Sequence, residues 1–148
     1  MTSVMVPTDP RILIADDDDD LRQAVRDLLE DQQFIVVGEA VDGADAVTKA
    51  IALDPDVILI DLRMPDVDGI EATRRIKARL PMVQIVMLSA YGDPGLISAA
   101  ENAGVYAYLV KGCPAELIRH VLTSAFSFKV GLVQRQTEGR SAEPTDLG

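Results

Sequence analysis

Asp16, Asp17, Asp61, Ser89 and Lys111 each stand at or just past the C-terminal end of a short apolar run. Brought together, three carboxylates repel one another, and at least one is pushed toward its protonated form unless a cation intervenes. Oxygen donors without an accompanying histidine or cysteine suit a hard divalent ion, Mg²⁺ rather than zinc. A lysine beside such a cluster suits a transient anion, for which phosphate is the obvious choice, and a serine hydroxyl donates to a phosphoryl oxygen. One carboxylate can then act as nucleophile and become an acyl phosphate. Cation and lysine would neutralise the charge on the phosphoryl oxygens in the transition state. A single strand-end polar residue is ordinarily a solvated loop start. The full set at the ends of the first, third, fourth and fifth strands is a constellation that points to a site.

The elements that must position these groups follow from the apolar patterning. Arg11 to Ala15 reads as a buried strand that stops at Asp16, and Asp19 to Gln32 as a helix with Leu21, Val25, Leu28 and Leu29 on one face. Phe34 to Val37 is a β-branched and aromatic second strand. Asp42-Gly43 signals a turn before a helix over Ala44 to Leu53, which Asp54-Pro55 ends. Val57 to Ile60 is the third strand, and a loop from Arg63 to Gly69 leads into a helix that ends at about Leu80. Val83 to Leu88 is the fourth strand. Asp93 to Ala103 is a helix closed by Gly104 as its C′ residue. Tyr106 to Val110 is the fifth strand, and Pro114 suits the first position of a last helix ending near Phe128.

Five strand–helix units in series predict an α/β fold, a (βα)5 parallel sheet covered by helices on both faces. The near-continuous apolar strands agree with burial on two sides. A doubly wound, flavodoxin-like sheet of order 2-1-3-4-5 places strands one and three side by side, with a crevice beyond their carboxyl ends. The five polar groups would share that edge. The expected organisation is a flexible N-terminus over residues 1–10, one domain over 11–128, and a disordered tail over 129–148 that contains Gly131, Gly139, Pro144 and Gly148.

Composition narrows the function classes. The 148 residues are 48% hydrophobic and 26% charged, a globular balance. No apolar run approaches the roughly 20 residues of a membrane span, and the start lacks the marks of a secretory signal. The single cysteine, Cys113, cannot pair internally and fits a reducing, cytoplasmic location. A net charge of −10 argues against direct duplex binding. No Gly-x-Gly-x-x-Gly follows the first strand, so a dinucleotide role is not expected.

Ile12-Leu-Ile-Ala-Asp16-Asp17, Asp61-Leu-Arg-Met-Pro65 with Asp68-Gly69, Leu88-Ser89-Ala90 and Tyr108-Leu-Val-Lys111 together resemble the response-regulator receiver domain of two-component systems. The wording Asp61-Leu-Arg-Met-Pro65 and Gly69-Ile-Glu-Ala-Thr-Arg-Arg75 is similar to the NarL/FixJ branch. The resemblance covers about residues 11 to 125. It implies that Asp61 is the phosphoacceptor and that Asp17, Asp61 and the backbone carbonyl of Arg63 hold Mg²⁺, with Asp16 reaching it through water. It implies that Lys111 pairs with the phosphoryl group, that Ser89 hydrogen-bonds to it, and that Tyr108 is the switch aromatic. Tyr91 falls where receivers often tune phosphate loss. A sensor histidine kinase or phosphotransfer protein would be the donor, with acetyl phosphate as a substitute. The face made by the fourth helix, fifth strand and fifth helix would serve a homodimer or an unknown downstream protein.

The sequence departs from that pattern in three places. Gly112, not proline, follows Lys111. Asp18, Asp19 and Asp20 extend the acidic pair, where they either tighten cation binding or, as we expect, start the first helix. The residues after Phe128 are too few and irregular for the helix-turn-helix domain usual in the branch. Two other readings follow: a transcriptional regulator truncated before that domain, or a phosphohydrolase of the haloacid dehalogenase type, which would need a Thr or Val where Asp20 stands. His120 reads as a surface helix residue and Cys113 as a loop thiol. The apolar stretch Phe126 to Val133 either covers the last helix or meets a partner.

Overall fold

The structure is a computed structural model that describes residues 9–142, with side chains to 138. Ten elements alternate: β1 (Arg11–Ala15), α1 (Asp19–Asp31), β2 (Ile35–Ala40), α2 (Gly43–Leu53), β3 (Val57–Ile60), α3 (Gly69–Arg79), β4 (Gln84–Ser89), α4 (Pro94–Ala103), β5 (Ala107–Val110) and α5 (Ala115–Ala142). The strands form one five-stranded sheet of order β2-β1-β3-β4-β5, all neighbours parallel, as the apolar patterning predicts.

Alternate strand residues face opposite sides, so a sheet covered twice needs apolar residues at both parities. Leu13, Ile58, Ile60, Ile85 and Met87 point into one core with α2, α3 and α4. Ile12, Ile14, Val57, Leu59, Val86 and Leu88 point into the other with α1 and α5. Each fully buried Leu or Ile contributes about 1.5–3 kcal/mol over exposure. The central strands are therefore the most firmly held, and their carboxyl ends are a rigid place for a site.

Aspartates start the helices. Asp18 accepts from the Leu21 N–H, Asp42 from Asp45 and Asp68 from Glu71, each satisfying a donor the helix leaves open. Asp19 and Asp20 occupy the first turn of α1, where acids favour the helix dipole. The acidic run is thus a helix start, as expected.

Most boundaries shift by at most a single residue, and three larger differences from the sequence reading stand out. β2 runs on to Ala40 rather than stopping at Val37, because Gly38, Glu39 and Ala40 pair with Leu13, Ile14 and Ala15 of β1. Tertiary pairing overrides weak local strand preference here. Within the expected flexible segment 1–10, Pro10 is buried and its carbonyl accepts from the Ile35 N–H; residues 1–8 lie outside the described residues. The largest correction is the tail. Residues expected to be disordered from 129 are helical to Ala142 as a continuation of α5, and 143–148 lie outside the described residues. A helix already docked on the sheet extends without a new nucleation cost. Gln134, Arg135, Gln136 and Glu138 favour that extension, and Gly131 costs only about 1 kcal/mol. Lys129 anchors it: its Nζ lies 2.8 Å from Asp56 Oδ1, with each side chain 15% exposed.

Candidate functional site

The edge formed by the carboxyl ends of the central strands carries the acidic groups. The Asp16 N–H donates to the Ala40 carbonyl (3.0 Å) and the Asp61 N–H to the Ala15 carbonyl (2.8 Å). Both residues therefore extend the sheet ladder by one step, and both are buried. Asp17 is exposed. One carboxylate oxygen from each of Asp16, Asp17 and Asp61 lies within 4.8 Å of the others. Among the described residues this is the one group of acidic, histidine or cysteine side chains close enough to hold a cation. Oxygen donors alone, with two of the three carboxylates buried, fit Mg²⁺ and not a softer metal.

Lys111, at the end of β5, bridges the two buried carboxylates. Its Nζ lies 3.1 Å from Asp16 Oδ2 and 3.3 Å from Asp61 Oδ1. Burial pushes the Asp61 carboxyl above its ordinary value, the Asp16 charge pushes it further, and Lys111 opposes both. Burial disfavours the Lys111 charge, but its hydrogen bond to Asp16 and the charge of Asp61 outweigh that and raise its pKa. The backbone after Lys111 turns at Gly112 with φ +96°, a conformation that strains any L side chain.

The loop after β3 is fixed by close backbone contact. The Gly69 N–H donates to the Leu62 carbonyl (2.8 Å), and a Cβ at Gly69 would sit 2.1 Å from the Asp61 carbonyl oxygen. Only glycine permits α3 to start that near the Asp61 backbone. Beside this loop lies a cleft of about 400 Å³ whose walls include Asp17, Arg63, Met64, Asp68 and Leu96. Arg63, whose carbonyl the resemblance assigns to the cation, thus shares a cleft with Asp17.

Ser89 closes β4 and is fully buried. Its Oγ accepts from the Tyr91 N–H at 3.1 Å, which leaves its own proton free to donate. The Tyr108 hydroxyl donates to the Tyr91 carbonyl, and the Arg63 guanidinium lies 4.8 Å over the Tyr91 ring. Tyr91 thereby links the serine, the tyrosine of β5 and the arginine after Asp61. His120 is exposed on α5 and Cys113 is half-buried against the core. Phe126 packs on that core, whereas Phe128 lies across from Tyr106 with ring centroids 5.6 Å apart.

One residue at the site carried no signal in the sequence. Arg22 of α1 donates through Nη1 to the Asp16 carbonyl (2.7 Å), through Nη2 to Asp19 (2.6 Å) and through Nε to Glu39 (3.0 Å). An arginine within an acidic helix start looks like an ordinary surface pair, and Glu39 reaches it only because β2 lies beside β1.

Comparison with known proteins bears on this geometry. A family model described as "Response regulator receiver domain" matches residues 12–123. The response regulator protein VraR of Staphylococcus epidermidis is 38% identical over 117 residues, 78% of this chain and 56% of that protein. The chain thus spans about half the length of such relatives. The chemotaxis protein CheY of Listeria monocytogenes is 34% identical over 115 residues, 78% of this chain and 97% of that protein. The solved receiver domain of NarL from Mycobacterium tuberculosis superposes with a TM-score of 0.73 at 34% identity, covering 80% of this chain and 98% of that one.

Proposed function

The chain belongs to the response regulator receiver domain family, and on that premise we propose that it is a phosphorelay switch whose phosphoacceptor is Asp61. The observation that supports this most is the convergence of Asp16, Asp17, Asp61 and Lys111 on one sheet edge. In this reading an ionised Asp61 oxygen attacks phosphorus in line with the donor nitrogen of a phosphohistidine. The O–P bond forms, the P–N bond breaks, and the electron pair returns to the imidazole. Lys111 leaves its contact with Asp61 to pair with a phosphoryl oxygen, and Ser89 donates its free hydroxyl proton to another. Mg²⁺, held by Asp16, Asp17, Asp61 and the Arg63 carbonyl, would supply charge neutralisation at the phosphoryl oxygens.

Ser89, Tyr91 and Tyr108 form a hydrogen-bonded chain from the site to β5. A Ser89 drawn toward a phosphoryl group would pull on Tyr91 and so loosen Tyr108. That would remodel the face of α4, β5 and α5, where exposed Tyr106, Val110, Leu117 and Phe128 offer apolar area to a second copy or a downstream protein. The donor is a sensor histidine kinase or a phosphotransfer protein, and the setting is cytoplasmic. The protein acts as a switch and not as an enzyme with a released product. A dehalogenase-type phosphohydrolase is disfavoured, since its nucleophile would stand at the end of β1 as Asp16, and four residues on, in α1, Asp20 occupies the place where that pattern needs Thr or Val.

Titration with beryllium fluoride, a phosphoryl mimic, tests the reading by amide NMR. With Mg²⁺ present, shifts are expected at Asp61, Ser89 and Lys111 and onward at Tyr91 and Tyr108, and Asp61→Asn abolishes them. Shifts that stop at Asp61, or that survive in the variant, would contradict it.

A further inference from the structure

Asp17 is the least supported member of the acidic cluster. It is exposed, and among the described residues no hydrogen bond or ion pair holds its side chain. Asp16 is held at every polar atom: its N–H by the Ala40 carbonyl, Oδ1 by the Asp18 N–H at 2.9 Å, Oδ2 by Lys111, and its carbonyl by Arg22. That carbonyl belongs to the peptide joining Asp16 to Asp17. Rotating this peptide swings the Asp17 side chain, so whatever fixes the carbonyl fixes where the Asp17 carboxylate lies.

Arg22 is built for that task. Its side chain is only 12% exposed, and its three nitrogens go to three different oxygens. A planar guanidinium held at two corners has no freedom at the third. Glu39 supplies one of those corners and is itself fixed from the far side, its Oε2 lying 2.5 Å from Arg26 Nη1. We infer that Arg22 is a positioning residue for the divalent cation: clamped by Glu39 and Asp19, it sets the Asp16–Asp17 peptide and thereby holds Asp17 in ligating position. This rests on the proposed Mg²⁺ site and goes beyond it, because it adds a residue of α1, and through Glu39 a strand remote from Asp61, to the determinants of cation affinity.

Charge and position make opposite predictions. Arg22 is a cation near a cation site, so removing its charge alone would tighten Mg²⁺ binding. Removing a group that orients a ligand typically weakens metal binding about 10- to 100-fold. Mg²⁺ affinity is measured by isothermal titration calorimetry, well below the melting temperature of each protein, for wild type, Arg22→Met, Arg22→Lys and Arg26→Met. Arg26→Met removes the same charge from the same Glu39 without touching the Asp16 carbonyl. We expect about a 10-fold rise in dissociation constant for Arg22→Met and smaller rises for Arg22→Lys and for Arg26→Met, which loosens Glu39 but leaves the Asp16 carbonyl and Asp19 contacts of Arg22 in place. Unchanged or tighter binding in Arg22→Met would overturn the inference while leaving the Mg²⁺ site intact. If Arg22→Met fails to fold, Arg22→Lys decides, since it keeps the charge but loses the fork; wild-type affinity in that variant would also overturn it. Wild type that binds no Mg²⁺, or binds it as well after Asp17→Asn, would remove the site itself and the inference with it.

Discussion

Asp61 sits where its own charge is unwelcome. Burial raises its pKa and the Asp16 carboxylate adds to the effect, against Lys111. In the unfolded chain an aspartate titrates at about 3.9. Between that value and the raised native one, the folded state holds more protons than the unfolded state. Stability therefore falls as pH climbs through that window, and the full loss is present above it. Asp61→Asn removes the penalty. Without divalent cation the variant is expected to be more stable than wild type at pH 7, by about 1–2 kcal/mol, the scale of an ordinary point-mutation effect. The difference should shrink toward acid as the wild-type carboxyl takes up its proton. Urea unfolding across pH 4 to 8 measures it, and a variant less stable at neutral pH would contradict the account. At this scale the sequence was informative about Asp16, Asp17, Asp61, Ser89 and Lys111, because each ends an apolar run and parallel strands align their ends. It was silent about Arg22, whose meaning depends on Glu39 across a strand pairing, and about the contact of Arg63 with Tyr91, which depends on the folding of two loops.

The helices and strands show a similar division. Apolar runs marked the cores of the five strands, because a two-sided sheet leaves few polar residues inside them, and aspartate, glycine or proline marked the ends of most helices between them. Ends decided by tertiary contact were not legible: β2 continues through Gly38 and Glu39 by pairing with β1, and α5 continues past Phe128 to Ala142. In the second case Lys129 ties the extension to the sheet. Lys129 reaches Asp56 and the Pro55 carbonyl at the opposite end of the sheet from the acidic cluster, 73 and 74 residues away in sequence. Asp56 also accepts from the Arg11 N–H at 2.9 Å, so losing Lys129 leaves that carboxylate half satisfied. Lys129→Met is expected to cost about 1–3 kcal/mol, as for hydrogen bonds to charged groups. Amide hydrogen exchange over residues 130–138 should accelerate at least about 10-fold while the strands keep their protection. Unchanged exchange there would mean that the extension is stable on its own account.

Across the whole molecule, two apolar cores hold one row of strand ends, and five aspartates, against a net charge of −10, stand in the run Asp16 to Asp20 that follows β1. Three of those five carboxylates are occupied with helix α1, as cap and first turn, and the remaining two join Asp61 and Lys111. The fold thus separates acids that build a helix from acids that face the crevice, and in the proposed reading only the second group acts on phosphate. The most direct test is intact mass spectrometry of the protein after incubation with acetyl phosphate and Mg²⁺, beside Asp61→Asn and a sample without metal. The account predicts one labile phosphoryl adduct in wild type, absent from the variant and from the metal-free sample. An adduct that persists in Asp61→Asn, or no adduct from acetyl phosphate or any histidine kinase tried, would contradict the assignment of this edge as a phosphoacceptor site.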